Sequence, residues 1–144
     1  MTEWIIFSLI LAAFLATAFW EAYIECENIG ASKSCGWEIK ISKTKSIKGY
    51  HVMLWWVTYP LLLSLPIVAN PTWTMFRFVV AGYFMGSVLQ DFMWFVVNPK
   101  FPFRKWNPRD AGWYYWLKIG KFQLPAFYLP YIIIGIILLF ILKI

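Results

Sequence analysis

The chain has 144 residues, of which 61% are hydrophobic, 22% aromatic and only 14% charged. A soluble domain carries about 25% charged and about 45–50% apolar residues, so no soluble core of this length hides so much apolar surface. The net charge of +6 does not point to nucleic acid. The basic residues sit in short segments between apolar runs, where they face lipid headgroups.

The first apolar run, 4–23, extends from Trp4 to Tyr23 with no charge before Glu21. A helix of about 20 apolar residues crosses the hydrocarbon. Ala16-Thr17-Ala18 looks like a signal-peptide cleavage site, and cleavage would leave three spans with the first loop outside. Glu3 stands where a basic n-region belongs, so the run reads as a span. Residues 24–49 follow, with Lys33, Lys40, Lys43, Lys45 and Lys48. Cys26 and Cys35 also lie there and read as plain loop thiols, reduced if the loop is cytoplasmic.

The second run, 50–69, is interrupted by Pro60 and Pro66, which predicts a kink. Asn70-Pro71-Thr72 reads as a tight turn, with Asn70 as a cap and Pro71 at the first helical position. The third run, 73–97, has Arg77 near its start and ends at Asn98-Pro99, since a residue before proline avoids the helical region. Gly82 and Gly86, with Ser87 beside them, make a small-residue helix-packing face. It suits contact within the bundle or with a second protein.

Residues 98–123 carry Lys100, Arg104, Lys105, Arg109, Lys118 and Lys121. Within them, Trp113, Trp116 and Leu117 fall on one helical face and Lys118 and Lys121 on another. This spacing predicts a short interfacial helix, either a plain anchor or a lid that also recruits anionic lipid. The last run, 124–142, begins with Pro125 and Pro130.

These runs predict an all-α fold: one transmembrane domain over 1–144, an integral membrane four-helix bundle with spans at 4–23, 50–69, 73–97 and 124–142. Uniformly apolar runs exclude a β-barrel, which needs alternating polarity. Basic loops stay in the cytoplasm, so 24–49 and 98–123 are expected inside the cell membrane and both termini outside. Trp4 and Trp73 mark the outer edge; Trp20, Trp94, Trp106, Trp113 and Trp116 mark the inner one.

Acidic residues are scarce, so their depth carries information. From Trp4 to Glu21 and from Trp73 to Asp91 the helix rises roughly 25–27 Å. His51 opens the second span near that level, Glu25 lies one turn beyond Glu21, and Gln90 adjoins Asp91. Glu21, Glu25, His51, Gln90 and Asp91 thus form a candidate polar cluster at the inner edge. Charges inside spans usually face a partner in the bundle. One reading is a divalent metal on Glu21, His51 and Asp91, as in carboxylate-bearing bundles, although the Glu-x-x-His signature is absent. The plainer reading needs no cofactor: a buttress in which Glu21 or Asp91 pairs with Lys48, Arg104 or His51. A third is a proton or ion path in an oligomer.

Three pieces carry a resemblance: Gly36-Trp37, preceded by Glu25 and Glu27; Gly49-Tyr50-His51; and Gln90-Asp91-Phe92-Met93-Trp94-Phe95-Val96-Val97-Asn98-Pro99. Together, over roughly residues 20–130, they resemble a family of small, uncharacterised four-span membrane proteins of prokaryotes. In that family an acidic residue often precedes the aspartate, and a Trp-His pair follows in the next loop. Here Gln90 and Trp113-Tyr114 stand in those places. The resemblance implies no activity, and it implies that a metal site built on the motif would lack a ligand here.

The functional reading is a multi-pass, non-enzymatic subunit or accessory of a membrane complex, with membrane lipid and other transmembrane helices as partners and no nucleic acid. The alternatives are a metal-dependent enzyme at the cytoplasmic leaflet and a small oligomeric ion or proton transporter.

Overall fold

The computed structural model describes residues 2–28, 36–41, 46–120 and 122–142, and these are mostly helical. Three helices are long and apolar enough to cross a membrane: α1 (Thr2–Glu25), α2 (Gly49–Ala69) and α3 (Trp73–Val97). They lie over the first three expected spans. A shorter apolar helix, α4, covers Tyr128–Ile141. Cys35, Lys33, Lys43, Lys45, Lys121 and Lys143 lie outside the described residues.

The start of α3 is set by its cap. Thr72, rather than Asn70, holds the N-cap position, and its hydroxyl accepts from the Met75 amide at 3.1 Å. Pro71 therefore precedes the helix. Asn98 ends it: Oδ1 accepts the Lys100 and Phe101 amides, each at 2.8 Å, and Nδ2 donates to the Cys26 carbonyl at 2.9 Å. That last bond holds the end of α1, where Cys26 turns the chain with φ 48°.

The interruption expected in the second run takes the form of a π turn, Met53–Thr58, inside α2. There the Tyr59 amide bonds back to the Leu54 carbonyl. The Trp55 carbonyl would next pair with residue 60, but Pro60 has no N–H. The Tyr83 hydroxyl of α3 donates to Trp55 O instead, at 2.9 Å. α4 ends similarly. Its last residues, Ile137–Ile141, are a π turn, and Arg77 Nη1 of α3 donates to the Leu138 carbonyl at 2.9 Å. α3 thus supplies side-chain donors to carbonyls in both flanking helices.

α3 packs most closely on α1, and the two small residues make this possible. A β-carbon on Gly82 would lie 3.0 Å from Ile10, and one on Gly86 would lie 2.5 Å from Phe14. Ile10 with Phe14, and Gly82 with Gly86, share the i, i+4 spacing of one helix face. The Gly82/Gly86 face therefore serves contact inside the chain. The matching order of these pairs shows that α1 and α3 run parallel. α2 and α4 run the other way: Tyr50 meets Glu21 while Tyr59 meets Thr17, and Tyr128 meets Asp91 while Leu138 meets Arg77. Trp4 and Phe140 approach with ring centroids 6.3 Å apart, so α1 begins where α4 ends.

The core is layered along this axis. Phe7, Phe78, Ala81 and Leu139 fill the end near the termini. Ile10, Phe14, Tyr59, Met75 and Val79 fill the middle, where Phe14 stacks on Tyr59 at 4.3 Å. Ala22, Trp94, Phe95, Phe101 and Ala111 close the other end.

Two expectations are corrected. The chain is not purely helical: β1 (Glu38–Lys40) pairs antiparallel with β2 (Ser46–Lys48), and β3 (Trp116–Ile119) with β4 (Phe122–Pro125). The interfacial helix expected around Trp113, Trp116 and Leu117 does not form among the described residues, because Trp116–Ile119 and Phe122–Pro125 make the β3–β4 hairpin instead. Ile119 pairs with Phe122, and the connection leaves the strand through Gly120 at φ +60°. Tight hairpins need that positive φ, which glycine adopts freely. The same hairpin delays α4 to Tyr128, so the apolar run from 124 is strand before it is helix.

Candidate functional site

The candidate cluster lies at the end of the bundle where α1 and α3 finish. Glu21 is buried, 3% exposed. One of its oxygens accepts from the Tyr50 hydroxyl of α2 and the other from Gln90 Nε2 of α3. Glu21 therefore ties three helices together. It is at the same depth as Gln90, as the counting of helical rise implies.

Asp91 belongs to a second set. Its Oδ1 accepts from the Tyr114 hydroxyl and its Oδ2 from the Tyr128 hydroxyl at 2.6 Å. It ties α3 to the long loop and to the first residue of α4. Successive helical residues point about 100° apart, so Gln90 faces α1 and α2 while Asp91 faces the loop and α4. Depth alone did not reveal this rotation. Among the described residues no three His, Cys, Asp or Glu side chains come together as a metal-holding group. Glu21 and Asp91 sit in different hydrogen-bond sets, and His51 approaches Glu25 rather than either of them.

His51 Nε2 lies 3.7 Å from Glu25 Oε1. Glu25 is buried and His51 is partly exposed. The buttress therefore differs from the expected one. Lys48 pairs with Glu38 across the β1–β2 hairpin, and among the described residues neither Glu21 nor Asp91 takes its hydrogen bonds from a lysine or arginine. Neutral hydroxyl and amide donors satisfy all four oxygens of these two carboxylates without desolvating a second charge, which is the costly part of a buried ion pair.

Aromatic rings surround the Asp91 set. Phe92 meets Trp106 at 5.5 Å, Phe95 stacks on Trp113 at 6.3 Å, and Trp106 meets Tyr128 at 6.2 Å. Burial and the adjoining Asp91 carboxylate push the Tyr114 phenol well above its usual range, so it remains a donor. Sequence reasoning gave Tyr50, Tyr114 and Tyr128 no role at the cluster, although Tyr50 and Tyr114 stand in the pieces that carry the resemblance. Carboxylates inside apolar runs need donors, but Tyr114 lies in the loop, away from every run, and an aromatic residue carries no mark of which carboxylate its hydroxyl meets.

The chemistry of the arrangement is that of a double clamp. Each carboxylate gathers donors from two other elements: Glu21 joins α1 to α2 and α3, and Asp91 joins α3 to the loop and α4. A search of protein families, curated proteins and solved structures finds no match to this chain.

Proposed function

We propose that the protein is a non-enzymatic, multi-pass membrane subunit that crosses the bilayer four times, with both termini outside, and packs against other transmembrane helices. One observation carries this reading: how little of α2 the rest of the chain covers. Only 6% of its most apolar stretch is buried, against 33% for α1 and 44% for α3. Trp56, Leu61, Leu62, Leu65 and Val68 are exposed along it. Beside them a groove of about 450 Å³ runs between α2 and α3, lined by Trp55, Pro60, Leu63, Ile67, Val79 and Tyr83. Ridges of one helix seat in grooves of this kind.

The fourth crossing rests on α4 itself. Its nine α-helical and five π residues span roughly 20 Å at about 1.5 Å each. Phe140 near their end reaches Trp4 at the start of α1. The clamps at Glu21 and Asp91 suit a structural role, since their oxygens serve to hold the bundle.

Native mass spectrometry from a mild detergent tests the reading. The expected species is a complex larger than the 17.0 kDa chain, reduced to the single chain by Leu62→Asn with Leu65→Asn. A wild-type protein that is monomeric throughout overturns it.

A further inference from the structure

Parallel α1 and α3 send both of their following loops out at one end of the bundle. The second of these, 98–125, has an uneven composition. Its described cations are Lys100, Arg104, Lys105, Arg109 and Lys118, against Asp110 alone. Asp110 is itself engaged, accepting from Asn107 Nδ2 at 2.8 Å. Lys100, Arg104, Arg109 and Lys118 are exposed.

The β3–β4 hairpin in this loop is two-faced. Residues directly opposite in an antiparallel pair share a face, and alternate residues along a strand share it too. The pairs Leu117–Leu124 and Ile119–Phe122 therefore make one face, entirely apolar. Trp116–Pro125 and Lys118–Gln123 make the other. The second face packs at its base, where Pro125 is buried and Trp116 meets Trp106 at 5.6 Å. The apolar face is bare at its tip: Phe122 is 78% exposed, and Ile119 is exposed beside it. Tyr115, just before the hairpin, is 77% exposed, and Phe103 is exposed near Arg104.

Exposed apolar tips beside cations suit the boundary between headgroups and acyl chains. We propose that the described residues of this loop, 98–120 and 122–125, form a binding surface for anionic phospholipids. The Leu117/Ile119/Phe122/Leu124 face of the hairpin lies in the acyl boundary, and Arg104, Arg109 and Lys118 contact lipid phosphates. The occupant is lipid, since the apolar face and the cations flank the mouth of the membrane-crossing helices. This surface is distinct from the α2 face proposed to meet other helices, so either can fail alone.

The test uses the full chain reconstituted in phosphatidylcholine bilayers with trace spin-labelled phosphatidylglycerol or spin-labelled phosphatidylcholine. Electron paramagnetic resonance then gives the relative association of each lipid with the protein. The expected result is about threefold preference for phosphatidylglycerol at low salt, falling towards unity in about 0.5 M salt and in the triple variant Arg104→Gln, Arg109→Gln, Lys118→Gln. Circular dichroism checks that the variant is folded, and the wild-type salt series reads the effect without any variant. Equal association of both lipids with the wild-type protein overturns the proposal. So does a preference that survives both the salt and a folded triple variant.

Discussion

At Asp91, two phenols from different parts of the chain meet one carboxylate. Removing the acceptor strands both donors in an aromatic surround, and an unsatisfied buried polar group costs about 1–3 kcal/mol. Asp91→Ala is therefore expected to destabilise the protein by about 2–4 kcal/mol, read by reversible SDS titration in mixed micelles. Asp91→Asn keeps one acceptor oxygen and should lose less. If both variants unfold at the wild-type midpoint, the clamp contributes nothing. The acidic half of this site was legible in the sequence, because Glu21 and Asp91 stand out in apolar runs. The tyrosine half was not. A phenol satisfies hydropathy as an aromatic, and only the fold shows that Tyr50, Tyr114 and Tyr128 turn their hydroxyls towards the carboxylates.

Among the elements, α3 is the spine. Its Tyr83 and Arg77 each donate to a carbonyl in a π turn of a neighbouring helix. If Tyr83 compensates for the amide that Pro60 lacks, the two residues are coupled. Tyr83→Phe should cost about 1–2 kcal/mol in the native chain and clearly less in a Pro60→Ala background, where an amide is restored. Equal costs in the two backgrounds would remove the coupling. The α1–α3 contact makes a second prediction. Gly86→Ala places a methyl group against the buried Phe14 ring, and such overpacking costs about 1–3 kcal/mol. Gly82→Ala, whose added carbon meets the more adaptable Ile10 side chain at 3.0 Å, should cost less. An equal or reversed ranking in the same titration would contradict this geometry. The small-residue spacing was visible in the sequence, but its partner was not, because a spacing names a face and not what covers it. The hairpin was misread for a related reason. Trp113, Trp116 and Leu117 fit a helical period, while the Gly120-Lys121 pair between Leu117-Lys118-Ile119 and Phe122-Gln123-Leu124 carried the turn signal.

For the whole molecule, the alternating helix directions bring the start of α1 beside the end of α4 and send both hairpin-bearing loops out at the opposite end. Apolar runs and lysine-rich loops made the membrane character and the order of the helices readable from composition and hydropathy. The rotation of each helix about its axis, which separates Asp91 from Glu21, depends on packing and could not be read from depth. The central claim is a chain threaded four times, with both basic loops on the cytoplasmic side. Cysteine accessibility tests it most directly. In a Cys26→Ser, Cys35→Ser background, single cysteines replace Asn70, Ile41 or Lys118, and intact cells are treated with a membrane-impermeant maleimide. The account predicts labelling at position 70 in intact cells, and at positions 41 and 118 only after the membrane is opened. Labelling at 41 or 118 in intact cells would contradict it.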